Sequence, residues 1–111
     1  MTTLVNLCPH TIDILSEAGM PVLTVIPSGT IARVSQREEV VDLPDIPIPC
    51  RVTRQVFGEV VDLPESQPGT YFIVSRLVAA ACPERKDLVI PGPLVRDESG
   101  NPIGCRGLSV L

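Results

Sequence analysis

The sequence has no tryptophan, one tyrosine (Tyr71) and two phenylalanines (Phe57 and Phe72) among its 111 residues. A single-strand nucleic-acid binder stacks bases on aromatic platforms along a basic groove, and a duplex binder sets clustered Lys and Arg against phosphates. A net charge of −4 and a pI near 4.8 supply neither, so nucleic acid is excluded as a partner. Long apolar runs are also missing. None approaches the roughly 20 residues that span a bilayer, and Met1–Asn6 has no basic region leading into an apolar stretch. A membrane location and a secretory leader are therefore not expected, and the chain reads as a soluble cytoplasmic protein. The four cysteines Cys8, Cys50, Cys82 and Cys105 contain no C-x-x-C pair of the kind that zinc and redox sites use. In a reducing compartment they read as free thiols that pack as small buried hydrophobes. No metal and no cofactor is expected.

What the chain does have is a 44% hydrophobic content drawn from Val, Ile, Leu and Ala, enough for one core in a single domain spanning residues 1–111. A compact domain of that length has a radius of gyration of roughly 13 Å. Twelve prolines and eight glycines punctuate the sequence and leave apolar runs of strand length between them. Thr11–Leu15 and Val22–Ile26 flank Ala18-Gly19 and predict a hairpin. Pro27-Ser28-Gly29-Thr30 predicts a turn into a strand that begins at Ile31. Glu39-Val40-Val41-Asp42-Leu43-Pro44 recurs as Glu59-Val60-Val61-Asp62-Leu63-Pro64, which predicts two similar edge strands, each closed by its proline. Asp45–Pro49 between them is expected to be extended and irregular. Ser75 is placed to cap a helix over about residues 75–82 that Pro83 ends. Leu94–Asp97 and Pro102–Arg106 predict a C-terminal hairpin about Glu98–Asn101, and the apolar tail Leu108–Leu111 is expected to pack against the domain's own sheet or a partner subunit. The fold class is mainly β: a small barrel or sandwich of roughly six to eight short strands and hairpins with one short α-helix.

Eight of the nine basic residues are arginines and the ninth is Lys86. A guanidinium is a planar fork of donors suited to carboxylate or phosphate. Arg96 and Arg106 lie on the two arms of the C-terminal hairpin, where two cations brought together repel unless an anion sits between them. The competing expectation is that Asp97 and Asp87 neutralise them. Arg76 opens the short helix, Arg33 follows the Gly turn, and Ser28 and Thr30 offer hydroxyls in that turn. His10, the only histidine, falls in a bend after Pro9. It could activate Cys8 or share a zinc with Cys105, but it has no second ligand at metal spacing, and a backbone hydrogen bond at the sheet edge is the simpler role.

Val5-Asn6-Leu7-Cys8-Pro9-His10, Ser28-Gly29-Thr30-Ile31-Ala32-Arg33-Val34, Pro91-Gly92-Pro93-Leu94-Val95-Arg96-Asp97 and Ile103-Gly104-Cys105-Arg106 together resemble a family of small uncharacterised proteins of bacteriophages and bacterial genomes. The resemblance implies a phage-type setting in which small β-rich proteins act by binding. The leading expectation is a non-enzymatic protein that holds a small phosphate- or carboxylate-bearing ligand, nucleotide-derived or similar, and sequesters a host signal. Its ligand-binding residues would be Arg33, Arg76, Arg96 and Arg106 with His10, Ser28 and Thr30. The alternatives are an inhibitor or adaptor that docks on a host protein through an exposed strand, and a Cys/His enzyme. Exposed edges and the apolar tail imply a homo-oligomer.

Overall fold

The computed structural model describes residues 2–46 and 50–111. The order is β1 (Thr3–Asn6), β2 (Ile12–Leu15), β3 (Pro21–Val25), β4 (Arg33–Val40), β5 (Thr53–Val61), β6 (Thr70–Ile73), α1 (Arg76–Ala81), β7 (Leu88–Pro91), β8 (Leu94–Arg96), β9 (Pro102–Arg106) and β10 (Leu108–Ser109). One sheet runs β1-β6-β7-β10, a second runs β3-β2-β9-β8, and among the described residues β4 and β5 pair only with each other. The result is a sandwich-like, mainly β fold with one short helix; among the described residues ten strands are present rather than six to eight, and they do not close a barrel.

The predicted hairpins form as antiparallel β2–β3 and β8–β9 pairs. Ser75 Oγ accepts from the Val78 N–H at 3.3 Å, and the helix it caps runs for six residues. Other joints are parallel and join distant strands: β1 with β6, β6 with β7, and β2 with β9. Alternation along β6 then builds two cores from one strand, because successive side chains leave a pleated strand on opposite faces. Phe72 and Val74 enter a cluster with Leu7, Ala32, Val78, Ala79, Cys82, Leu88 and Ile90. Ile73 turns the other way, to Cys8, Ile12, Ile14 and Cys105. The strand's neighbour obeys the same rule, with Val89 packed on the second cluster while Leu88 and Ile90 join the first.

The two echo segments lie at opposite ends of one β4–β5 ribbon: Val40 sits across from Thr53 at the outer end, and Val61 across from Arg33 at the root. Both are edge strands, as their sequence suggests, but they end in the same sheet. Val34 and Val60 root the ribbon in the first core. Across from Ser35, β5 carries an extra residue, and a Cβ on Gly58 would displace the Ser35 hydroxyl from its present rotamer. Beyond the root the ribbon is largely exposed. Its projection explains a radius of gyration of 17.4 Å where roughly 13 Å was expected of a compact chain. Pro47–Pro49, part of the segment expected to be irregular, lies outside the described residues. At the C-terminus, β10 pairs antiparallel with β7, whereas Val110 and Leu111 stay 73% and 61% exposed, so only half of the apolar tail is packed.

One buried amide fastens these parts together. Asn6, 1% exposed, is the only buried polar residue among those described. Its Nδ2 donates to the carbonyls of His10 (2.9 Å) and Val25 (3.0 Å), and its Oδ1 accepts from the Cys8 N–H at 2.8 Å. Replacing it with an apolar residue of similar size strands two carbonyls and one N–H in the interior. Asn6→Leu is expected to lower stability by about 3 kcal/mol or more, read from urea unfolding midpoints at unchanged m-value.

Candidate functional site

The strongest candidate lies at the root of the ribbon. The Ser28–Ile31 turn is clamped at both ends: the Ser28 N–H donates to the Asn6 carbonyl at 3.0 Å, and the Ala32 N–H to the Leu7 carbonyl at 3.1 Å. Gly29 adopts φ +97°, which L side chains resist. Ser28 Oγ accepts from the Thr30 N–H and donates to the Thr30 carbonyl, each at 3.3 Å, so the turn is tied internally. Arg33 opens β4 two residues after Ile31. Across the root, Val61 is followed by Asp62, which takes φ 60°. Aspartate is among the few non-glycine residues that enter this left-handed region with any frequency. Gly29, Thr30, Ile31, Arg33 and Asp62 line one mainly polar cleft of about 310 Å³.

The other four predicted residues, Arg76, Arg96, Arg106 and His10, lie elsewhere, and all seven of the predicted set are exposed. Arg76 lines a cleft of about 350 Å³ with Ile90–Pro93 and Ser109. Arg106 adjoins that cleft through its backbone, where its N–H donates to the Pro93 carbonyl at 2.8 Å. The expected approach of Arg96 to Arg106 does not occur. Register puts Arg96 opposite Pro102, four residues before Arg106 on β9, a span of about 13 Å. Arg96 Nη1 instead donates to the Gly100 carbonyl at 2.8 Å and closes its own hairpin turn.

The carboxylates expected to neutralise this pair are engaged elsewhere too. Asp97 Oδ1 accepts from the Ser99 and Asn101 N–H groups, both at 2.9 Å. Asp87 takes a two-pronged hydrogen bond from Arg85, Nε and Nη2 each at 2.8 Å, and Arg85 Nη2 also donates to the Pro64 carbonyl at 3.0 Å. Among the described residues, Arg33, Arg76, Arg96 and Arg106 have no carboxylate within 4.0 Å.

His10 has the bend role: its Nδ1 lies 3.2 Å from the Thr11 carbonyl. With Asp13, Leu94, Ile103 and Cys105 it lines a mainly apolar cleft of about 350 Å³. Cys105 Sγ points to the carbonyls of Gly107 (3.4 Å) and Asp13 (3.5 Å). Burial pushes the Cys8 thiol up, and burial followed by Glu84 does the same for Cys82. Such shifts oppose thiolate formation. Cys8, Cys82 and Cys105 are buried as expected, but Cys50 is exposed just ahead of β5. No group of three His, Cys, Asp or Glu side chains suited to a metal ion occurs among the described residues, nor a helix long and apolar enough to cross a membrane.

Asp62 and the Arg85–Asp87–Pro64 clamp are not among the residues the sequence points to. Asp62 sits inside the echo, where its repeat partner Asp42 gave no sign that the second copy would turn left-handed at the cleft. Compared with known protein families, curated proteins and solved structures, the chain finds no match.

Two expected outcomes follow from these groups. Arg85 holds the Asp87 carboxyl below its ordinary value of 3.8, so the folded chain takes up that proton less readily than the unfolded one. The pair's stabilisation is complete above the unfolded value and is lost as pH falls through the depressed folded one. Urea titrations from about pH 5 to about pH 2 should show a falling acid limb that Asp87→Asn makes shallower. For the thiols, a disulfide reagent should label Cys50 rapidly in the native protein and reach the other three only on unfolding; rapid native labelling of Cys8 would contradict its burial.

Proposed function

We propose that this chain is a non-enzymatic binding protein that holds a small anionic ligand in the cleft at the ribbon root. The observation that carries this reading is Arg33, a guanidinium without an ion-pair partner among the described residues, lining the same polar cleft as the Gly29–Ile31 turn. A guanidinium grips phosphate or carboxylate with two parallel hydrogen bonds. Thr30 adds a hydroxyl. Asp62 on the same cleft is an acceptor and repels a bare anion, so the ligand that fits carries an anionic group at one end and hydroxyl or amine donors at the other. A nucleotide or sugar phosphate has that chemistry, and about 310 Å³ is at the small end of the range for ligand sites. Capture of such a molecule without turnover suits the phage-type setting, where removing a host signal is itself the activity.

This reading draws on Arg33, Thr30 and the Ser28-tied turn, with Arg76, Arg96, Arg106 and His10 outside the cleft. Thermal melting against phosphate, mononucleotides, cyclic and dinucleotides and sugar phosphates should find a ligand that raises the melting point. At a hundredfold excess over Kd the gain is about 2.7 kcal/mol. Arg33→Glu should abolish it and Arg96→Glu should leave it intact. A flat response to the whole panel, or equal loss in both variants, would overturn the assignment.

A further inference from the structure

We propose that the open edge of β4 binds a second copy of this chain, antiparallel about a two-fold axis at Glu38. The molecule exposes 7821 Å². A compact monomer of 11.9 kDa exposes about 5,900 Å², so roughly 1,900 Å² is in excess. A stable protein interface takes about 800 Å² from each partner, and obligate dimers take more. The excess is more than twice a standard interface's share, within the range of obligate dimers, and the ribbon is the part of the fold that projects. It is two strands wide with both edges open, a form that is marginal alone and presents unpaired N–H and C=O groups to any matching strand. Val40 at 63% and Phe57 at 37% are exposed along it.

Charge selects the occupant and the register. Arg37 has no carboxylate within 4.0 Å among the described residues, while Glu39 lies 3.1 Å from Arg54 and Glu38 3.9 Å from Arg51. A two-fold axis at Glu38 sets Arg37 opposite the partner's Glu39, twice, and Gln36 opposite the partner's Val40. The two Glu38 side chains meet at the axis, each countered by its own Arg51. An axis at Arg37 would instead set arginine against arginine. The β5 edge is the poorer template, because its extra residue at the Gly58 bulge breaks the ladder. Pairing through β4 gives a continuous four-stranded sheet from two ribbons.

Sedimentation of the full chain across micromolar concentrations tests this. The wild type should run as a dimer. Arg37→Glu and Glu39→Arg each place two like-charge pairs in the joint and should raise the dimer Kd roughly thirtyfold. An equimolar mixture of the two variants restores both opposite-charge pairs and should sediment as a dimer again, which also shows that each variant is folded. A monomeric wild type overturns the proposal. A dimer that neither variant weakens also overturns it and moves the contact to another surface, such as Val110–Leu111. A mixture that stays monomeric refutes the register.

Discussion

The fold depends on the Asn6 amide. A buried primary amide without partners is costly, yet here both of its polar ends are used, holding the bend that follows β1 against the end of β3. Its two donors and one acceptor join the bend at Cys8–His10 to the end of β3, while its backbone carbonyl takes the first N–H of the Gly turn. Leu7 continues the same segment, donating its N–H to the Ile73 carbonyl and accepting from Ala32. Within two residues the chain therefore ties both sheets to the turn that carries Thr30 and leads into Arg33. The geometry at the ribbon root is inherited from this junction, and a change there reaches the cleft without touching any residue that lines it.

What could be read from the sequence divides by distance along the chain. The hairpins at Ala18-Gly19 and Glu98–Asn101, the Ser75 cap and the Pro83 stop are local, set by residues whose backbone preferences show in a window of four or five. The parallel pairings are not. Nothing near Thr3 announces Thr70 as its neighbour, and nothing near Ile14 announces Cys105. The same limit explains part of the surplus of strands, because β10 exists only by virtue of its pairing with β7. The prolines around the echoes marked open edges correctly, but not that both edges belong to one projecting ribbon.

The site was legible in part for the same reason. Ser28, Thr30 and Arg33 are close in sequence, and a glycine turn keeps them close in space. Asp62 reaches them only because β5 runs back along β4. Arg96 and Arg106 looked like facing groups, but facing in a hairpin depends on register, and the offset of β8 against β9 separates them. Arg76 and Arg106 come to one neighbourhood through Gly92–Pro93, a segment whose role depends on long-range packing. Residue type identified the cations, and only the fold shows which of them share a cleft.

The parallel joints also bear on how the chain is made. β1 waits for a strand 67 residues downstream, and β2 for one 91 residues downstream. On the ribosome, the first 61 residues therefore emerge as hairpin and ribbon with their apolar faces unmatched, and the main sheets are completed only when the last quarter of the chain is released. Pairing at such separations is slow and leaves strand edges open to wrong partners. Yield in the cell should accordingly be governed less by the depth of the native well than by the interval before β6 and β9 arrive.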